Sequence, residues 1–217
     1  MNRALLNWLR TNHPDVTVVM ASKYLTKREA FEPFIEAGIL DYGENRAEAL
    51  LEKKAWFHDR PLRWHYIGTL QTKKVRKVIQ EIDVLHALDR LKLAKAIESH
   101  REGVLPCYVQ VNISNEPQKH GLAPGETYDF VKQVADFKHL KIVGLMGMAA
   151  DTDDLKVIRE QFETLRTLRD TLCVDYPDVK GLSMGMTQDY HIALELGTTV
   201  LRLGRILLAG DSYGTKR

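Results

Sequence analysis

The sequence predicts an α/β fold, a single parallel (β/α)8 TIM barrel formed by residues 1–217. One observation behind this prediction is that eight short apolar segments alternate with helical patterns along the whole chain. The other is that no linker or stretch rich in Pro, Gly and Ser divides the series. A doubly wound open sheet is the alternative, but no segment is followed by the glycine-rich phosphate loop that such sheets commonly carry.

The predicted strands are short runs rich in apolar residues, as is typical of parallel strands covered on both faces. The first, Val-Thr-Val-Val-Met-Ala, shows this composition most clearly, and the seventh is the shortest. In chain order the strands lie at residues 16–21, 39–43, 64–67, 84–87, 107–111, 141–145, 182–183 and 200–203.

A helical pattern follows each predicted strand, with a brief stretch after the last one. In the first crossover we expect Thr26 to cap the helix with Glu29 three residues on, and Gly38 to end it. Asp89 opens the fourth helix, and Thr187 is the predicted cap of the seventh. The apolar positions of the seven helices are, in order, Phe31, Phe34 and Ile35; Ala47, Leu50 and Leu51; Val75, Val78 and Ile79; Leu91, Leu93, Ala94 and Ile97; Tyr128, Val131 and Val134; Leu155, Ile158, Phe162, Leu165, Leu168 and Leu172; and Ile192, Ala193 and Leu196.

The composition is that of an ordinary globular domain, with 44% hydrophobic and 28% charged residues, which excludes a disordered chain. Lys plus Arg number 31 against 29 Asp plus Glu, so a net charge of +2 implies neither a nucleic-acid nor a membrane partner. The sequence shows no signal-peptide pattern and no run of about 18 apolar residues. We therefore expect a cytoplasmic protein, with Cys107 and Cys173 as buried thiols.

Lys23 follows the first predicted strand, and ligands bind at this end of barrel strands. Period-two alternation places Lys23 on the same face as Thr17, Val19 and Ala21. If that face points inward, Lys23 lies at the mouth of the barrel, where a desolvated amine becomes a nucleophile that forms a Schiff base with a carbonyl. The alternative is a solvated lysine at the edge of a loop.

Strand eight ends in Arg202 and Gly204, which share a face, and barrel closure makes this strand the neighbour of strand one. An inward Arg202 would lie beside Lys23, and two cations at one mouth are costly unless an anion or an acceptor lies between them. Gly204 lets a ligand approach the backbone. The end of strand seven and the loop that follows offer the Ser183 hydroxyl and backbone N–H groups to a phosphate, although this loop also fits a simple capped turn.

The other polar features point less clearly to a ligand. Asn45 and Asn112 follow strands and have the donors to orient a ring hydroxyl, but asparagine is also common in turns. The eight histidines lack metal-ligand spacing, so we expect no metal. A basic run at residues 73–77 without interleaved aromatics is typical of a solvated helix face, and we expect no nucleic-acid partner.

Seven ordered motifs between Val16 and Gly210 closely resemble the pyridoxal phosphate homeostasis proteins, which are single-domain relatives of alanine racemase. The motifs are Ala21-Ser22-Lys23, Gly43-Glu44-Asn45, His65-Tyr66-Ile67-Gly68-Thr69-Leu70-Gln71, Lys119-His120-Gly121, Gly144-Leu145-Met146, Leu182-Ser183-Met184-Gly185-Met186 and Leu201-Arg202-Leu203-Gly204. The resemblance implies a barrel like the N-terminal domain of alanine racemase, of PLP fold type III. It also implies that the barrel binds pyridoxal 5'-phosphate (PLP) and takes part in vitamin B6 and amino-acid homeostasis in the cytoplasm.

The resemblance also implies a role for each matching residue. Lys23 matches the lysine that forms the Schiff base with PLP, and Asn45 matches a residue near the ring. Arg202 is implied to face the pyridine nitrogen, which an arginine keeps unprotonated, so that the ring is a weaker electron sink. Ser183 is implied to hold the phosphate together with the backbone of Gly204 and Arg205.

Three departures from alanine racemase or from the family pattern bear on activity. No tyrosine stands four residues after Lys23, and the sequence ends soon after strand eight without the racemase's second domain, so we expect a monomer. The third is Arg205, where a small Thr, Ser or Ala is expected; it is tolerated if the backbone N–H is the phosphate ligand, but not if a hydroxyl is needed.

Our first hypothesis is a PLP carrier without catalytic turnover that exchanges PLP with client apoenzymes. The alternative is a PLP-dependent amino-acid racemase or lyase of narrow scope, with Lys23 as its single base.

Overall fold

In the computed structural model, which describes residues 1–210, each of eight strands pairs in parallel with the next along the chain. The strands are β1 Thr17–Ala21, β2 Asp41–Glu44, β3 Arg63–Tyr66, β4 Val84–Leu88, β5 Leu105–Val111, β6 Leu140–Gly147, β7 Gly181–Ser183 and β8 Val200–Leu203. Strand β8 also pairs with β1, with Val19 opposite Arg202, and this pairing closes the barrel. The predicted (β/α)8 barrel is therefore confirmed and the open sheet is wrong.

The expected single domain spans residues 1–217, and its last seven residues, 211–217, lie outside the described residues. For this reason the single-domain boundary stays a prediction. None of the helices in the described part of the chain is long and apolar enough to cross a membrane.

Helices fill the crossovers between the strands, one helix precedes β1 and another follows β8. The helices are α1 Arg3–Asn12, α2 Glu32–Glu36, α3 Ala47–Trp56, α4 Val75–Val78, α5 Leu91–His100, α6 Thr127–Val134, α7 Leu155–Asp175, α8 Tyr190–Glu195 and α9 Arg205–Leu208. Helix α1 was not predicted. The Asn2 side chain caps it by accepting a hydrogen bond from the Leu5 N–H at 3.0 Å, and Leu6 and Leu9 bury its apolar face.

Two predicted helix starts are wrong, each for a local reason. Helix α2 begins at Glu32 rather than after Thr26, because Pro33 is tolerated only in the first turn of a helix. Two 3₁₀ turns, Ser22–Tyr24 and Arg28–Ala30, occupy the preceding residues. Helix α8 begins at Tyr190, and Thr187 instead accepts a hydrogen bond from the Ile206 N–H at 3.4 Å.

Side chains from alternate strand positions form two separate layers of core. The outward positions, such as Met20, Trp64 and Leu201, pack among the apolar residues of the helices. The inward positions form a smaller cluster inside the barrel, which includes Val19 and Val200 on the neighbouring strands β1 and β8. Since Val19 points inward, the face that the alternation assigns to Lys23 leads to the barrel mouth.

Candidate functional site

A cavity of about 440 Å³ opens at the carboxyl ends of the strands. Its walls include Lys23, Asn45, Gln110, Met148 and Arg202, which come from different sides of the mouth. A smaller cavity of about 130 Å³ shares Lys23 and Arg202 and is also lined by Gly204 and Arg205. The structure thus brings five of the six site residues expected from the sequence to one continuous region, and Ser183 lines neither cavity.

Lys23 lies on the 3₁₀ turn Ser22–Tyr24 that directly follows β1. Its side chain is exposed at the mouth, and Nζ lies 4.9 Å from the centroid of the Tyr24 ring. The turn closes through a hydrogen bond from the Leu25 N–H to the Ser22 carbonyl at 2.8 Å. The amine is accessible from the cavity, while the backbone that carries it is fixed.

A buried ion pair braces this turn from below. Lys53, on α3, donates from Nζ to the Ser22 carbonyl at 2.7 Å and to Glu44 Oε2 at 2.5 Å. The other carboxylate oxygen of Glu44 accepts from the Asn45 N–H at 2.9 Å. One pair therefore fixes the backbone at both Lys23 and Asn45. Sequence analysis missed it, because Lys53 looks like a surface lysine next to Lys54 on the same helix.

Two glycines allow close approaches at the mouth. A Cβ atom on Gly68 would lie 2.6 Å from the Asn45 carbonyl oxygen, so the turn after β3 requires glycine to pass Asn45. At Gly204 a Cβ atom would lie 3.2 Å from the Tyr24 ring and 3.3 Å from Ala21 Cβ. The missing side chain at Gly204 keeps the smaller cavity open between β8 and β1.

Arg202 is a buried cation that crosses the barrel interior. Its Nη1 donates to the backbone carbonyl and to the hydroxyl of Ser183, both at 2.6 Å, and its Nη2 donates to the Gly147 carbonyl at 3.1 Å. Burial lowers the pKa of the guanidinium to about 10, and the charge of Asp189 opposes this shift. Arg202 therefore keeps its charge at neutral pH.

A chain of hydrogen bonds, which we call the interior relay, consists of Ser183, His86, His65 and Asp41. Ser183 Oγ lies 2.8 Å from His86 Nδ1, His86 Nε2 lies 2.9 Å from His65 Nδ1, and His65 Nε2 lies 2.8 Å from Asp41 Oδ1. All four residues are buried, and Asp41 also accepts from Arg63 Nη2 at 2.7 Å. Sequence analysis missed the relay, although a single histidine inside an otherwise apolar strand was the available signal.

The protonation states at two positions of the relay follow from their surroundings. Burial is the main cause that lowers the pKa of His86 well below its usual value, so its imidazole is neutral. Burial alone would raise the pKa of Asp41, but the hydrogen bonds from His65 and Arg63 outweigh it and lower the pKa overall. Asp41 is therefore a carboxylate at neutral pH.

The lowered pKa of Asp41 predicts a loss of stability in acid. Because its pKa in the folded state is below the usual 3.8, the contribution of Asp41 to the free energy of unfolding is complete above pH 3.8. That contribution is lost as the pH falls through the lowered pKa. Urea unfolding between neutral pH and about pH 3 should show a weaker acid dependence for Asp41→Asn than for the wild type. The exposed Asp151→Asn is the matched control, and equal acid dependence in both variants would contradict this assignment.

Within residues 1–210, no group of three or more His, Cys, Asp and Glu side chains could hold a metal ion. The chemistry that the mouth offers is that of an accessible amine beside a buried cation. An aldehyde or other carbonyl compound that also carries a hydrogen-bond acceptor suits this pair. The glycine-lined smaller cavity next to them adds space for a further polar group.

Known proteins share both this fold and the sequence. The family of the alanine racemase N-terminal domain matches residues 7–212. The pyridoxal phosphate homeostasis protein of Pasteurella multocida is 34% identical over 91% of this chain and 88% of its own, and that of Helicobacter pylori strain 26695 is 36% identical over 91% and 89%. PipY of Synechococcus elongatus, solved with PLP bound, superposes with a TM-score of 0.82 and 27% identity over 94% of this chain and 98% of its own. An alanine racemase of Clostridium difficile shares the fold, with a TM-score of 0.78 and 14% identity over 95% of this chain and 56% of its own.

The closed barrel, with a lysine after β1 and an arginine on β8, defines a protein of the alanine racemase N-terminal domain class. Within that class, the extent of the similarity makes the assignment more specific. The chain belongs to the family of pyridoxal phosphate homeostasis proteins.

Proposed function

We propose that this protein binds PLP as a Schiff base on Lys23 and takes part in PLP and amino-acid homeostasis without catalytic turnover. The observation that carries the proposal is that an accessible amine, Lys23, and a buried cation, Arg202, line the same cavity at the barrel mouth. The PLP-bound structure of PipY, which superposes on almost the whole chain, supports the choice of PLP.

The residues at the mouth fit the three chemical groups of PLP. Its aldehyde needs an amine, which Lys23 supplies, and its ring nitrogen accepts a hydrogen bond. Arg202 has five N–H donors, of which Ser183 and Gly147 take three, so two are left for the ring. Asn45 lines the same cavity and is proposed to lie near the ring.

The smaller cavity is the proposed site of the phosphate group. It lies where the loops after β7 and β8 meet, which is the usual phosphate position in such barrels. We propose that the backbone of Gly204 and Arg205 holds the phosphate, with the Thr187 hydroxyl beside it. The exposed side chain of Arg205 then adds positive charge near the phosphate without being required.

The proposed contact of Arg202 with the ring nitrogen also supports the proposal that the protein is a PLP carrier rather than an enzyme. PLP bound to an enzyme acts as an electron sink, and this ability is weaker when an arginine keeps the ring nitrogen unprotonated. An accessible Lys23 at an open mouth suits exchange of PLP with client apoenzymes. A monomeric state and a cytoplasmic location stay predictions.

The adduct is tested by adding PLP to the purified protein, recording the visible spectrum, reducing with borohydride and mapping the labelled peptides. We expect one adduct, confined to Lys23. No adduct, or labelling spread over surface lysines, would overturn the proposal.

The alternative of a racemase or lyase predicts exchange of the α-proton of an L-amino acid in deuterated water above the level of a Lys23→Ala control, and we expect none.

The proposed contact of Arg202 with the ring predicts weaker PLP binding in Arg202→Gln, by about 1 to 3 kcal/mol. Fluorescence or absorption titration would measure the change in Kd, and the melting temperature of the unliganded variant would report any change in folding. Arg205→Gln is the matched control, and we expect it to change Kd less, because only the backbone of Arg205 is proposed to bind. Unchanged affinity in Arg202→Gln would remove this role for Arg202.

A further inference from the structure

The interior relay connects Arg202 to Asp41 through groups that can each donate or accept only in certain directions. Arg202 is always a donor, so Ser183 Oγ accepts a hydrogen bond from its Nη1 at 2.6 Å. The Ser183 hydroxyl then has one proton to donate. Its other neighbour is His86 Nδ1, at 2.8 Å, and Ser183 is fully buried.

The remaining proton positions follow from this step. If Ser183 donates to His86 Nδ1, the neutral His86 carries its proton on Nε2 and donates to His65 Nδ1. His65 then carries its proton on Nε2 and donates to the Asp41 carboxylate, which can only accept. Every group between Arg202 and Asp41 is satisfied in this arrangement. In the reverse arrangement His86 carries its proton on Nδ1 and donates to Ser183 Oγ. The Ser183 hydroxyl then cannot donate to His86 Nδ1, and a buried proton without an acceptor is costly.

We propose that Ser183, His86 and His65 act on bound PLP only through Arg202. The relay directs the Ser183 proton toward His86, so that the oxygen of Ser183 accepts from the Arg202 guanidinium and holds it beneath the ring. This inference rests on the proposed function and makes the three residues positioning residues. It differs from the expectation based on the family resemblance, in which Ser183 holds the phosphate. The position of Ser183, outside both cavities, supports the new assignment.

The first test uses the unliganded protein. Nitrogen-15 NMR of the histidine side chains distinguishes protonated from unprotonated ring nitrogens. We expect both His65 and His86 to carry the proton on Nε2 and to have an unprotonated Nδ1. A proton on Nδ1 of His86 would overturn the proposal, because Ser183 could not then donate to it.

The second test compares PLP with pyridoxal, which lacks the phosphate group. Ser183→Ala is expected to weaken the binding of both ligands by the same factor, about five- to tenfold, because the ring contact is what suffers. In an Arg202→Gln background the same substitution should have no further effect. A direct contact between Ser183 and the phosphate predicts instead that only PLP binding weakens and that the effect persists in that background.

Tyr108→Phe is the matched control for a change inside the barrel. The Tyr108 ring stacks on His86, with centroids 4.7 Å apart and an interplanar angle of 19°, and Phe keeps that stack while removing the hydroxyl. We expect both Kd values to stay within about twofold of the wild type, since no relay hydrogen bond changes.

If the wild type binds neither ligand, the proposed function fails and this inference fails with it. If the wild type binds PLP and Ser183→Ala weakens PLP binding alone, only this inference fails.

Discussion

Lys23→Ala is expected to abolish the covalent PLP adduct while leaving the fold intact. The Schiff base requires the amine, and within residues 1–210 no other exposed lysine lines both cavities together with Arg202. The side chain lies at the mouth and contributes little to the core, so the stability of the unliganded protein should change by only about 0.5 kcal/mol. The measurement is the spectrum with PLP, followed by borohydride reduction and mass spectrometry, together with the melting temperature of the unliganded variant.

Two further variants distinguish the role of the Lys23 amine from the role of its positive charge and from that of a neighbouring lysine. Lys23→Arg keeps the positive charge but cannot form a Schiff base, so it should also lose the adduct. Lys27→Ala removes an exposed lysine a few residues away and should keep the adduct. A full adduct in Lys23→Ala would place the cofactor lysine elsewhere, and a large drop in its melting temperature would contradict the position of Lys23 at the mouth.

The largest effect on stability is expected from breaking the buried pair of Glu44 and Lys53. Lys53→Met leaves the Glu44 carboxylate buried without its cation and removes the brace from the Ser22 carbonyl. Removing one partner of a buried pair costs about 3–5 kcal/mol, because the remaining charge is uncompensated. Urea unfolding of the unliganded protein measures this loss in the free energy of unfolding.

The neighbouring lysine on the same helix is the matched control. Lys54 also pairs with a carboxylate, Glu81, but at 3.3 Å and with both side chains partly exposed. Lys54→Met should therefore cost at most about 1 kcal/mol. The double variant Glu44→Gln, Lys53→Met should recover part of the stability lost in Lys53→Met, since no charge remains buried. Equal losses in Lys53→Met and Lys54→Met would show that the pair does not brace the turn.

The strands could be predicted from the sequence because short segments, most of them rich in apolar residues, alternate regularly with helical patterns. All eight predicted strands overlap the observed ones, and the alternation in the first strand places Lys23 on the inward face. Helix starts were less predictable, because several local features compete there. The Thr26 cap fits the sequence, but Pro33 prevents a helix from running through residues 26–33.

The polar contacts inside the barrel could not be predicted, because they depend on which distant residues meet. His86 and Ser183 are 97 positions apart, and only the closure of the barrel brings their side chains together. The sequence pattern gives Lys53 as a surface residue. In the structure α3 packs over β2 and buries Lys53 against Glu44. For the same reason, the sequence places the Ser183 hydroxyl at a strand end that could face a phosphate, whereas in the structure it accepts a hydrogen bond from Arg202.

Arg202 links three strands, since it extends from β8 to Ser183 on β7 and to Gly147 on β6. The side chain proposed to set the chemistry of the PLP ring is therefore also a cross-brace of the scaffold. Evolution toward a stronger electron sink, with an acidic residue at the ring nitrogen, would remove both contacts at once and place two carbonyl oxygens beside a new negative charge. Such a change requires compensating substitutions on β6 and β7, so replacement of Arg202 alone does not convert this barrel into a carbanion-forming enzyme.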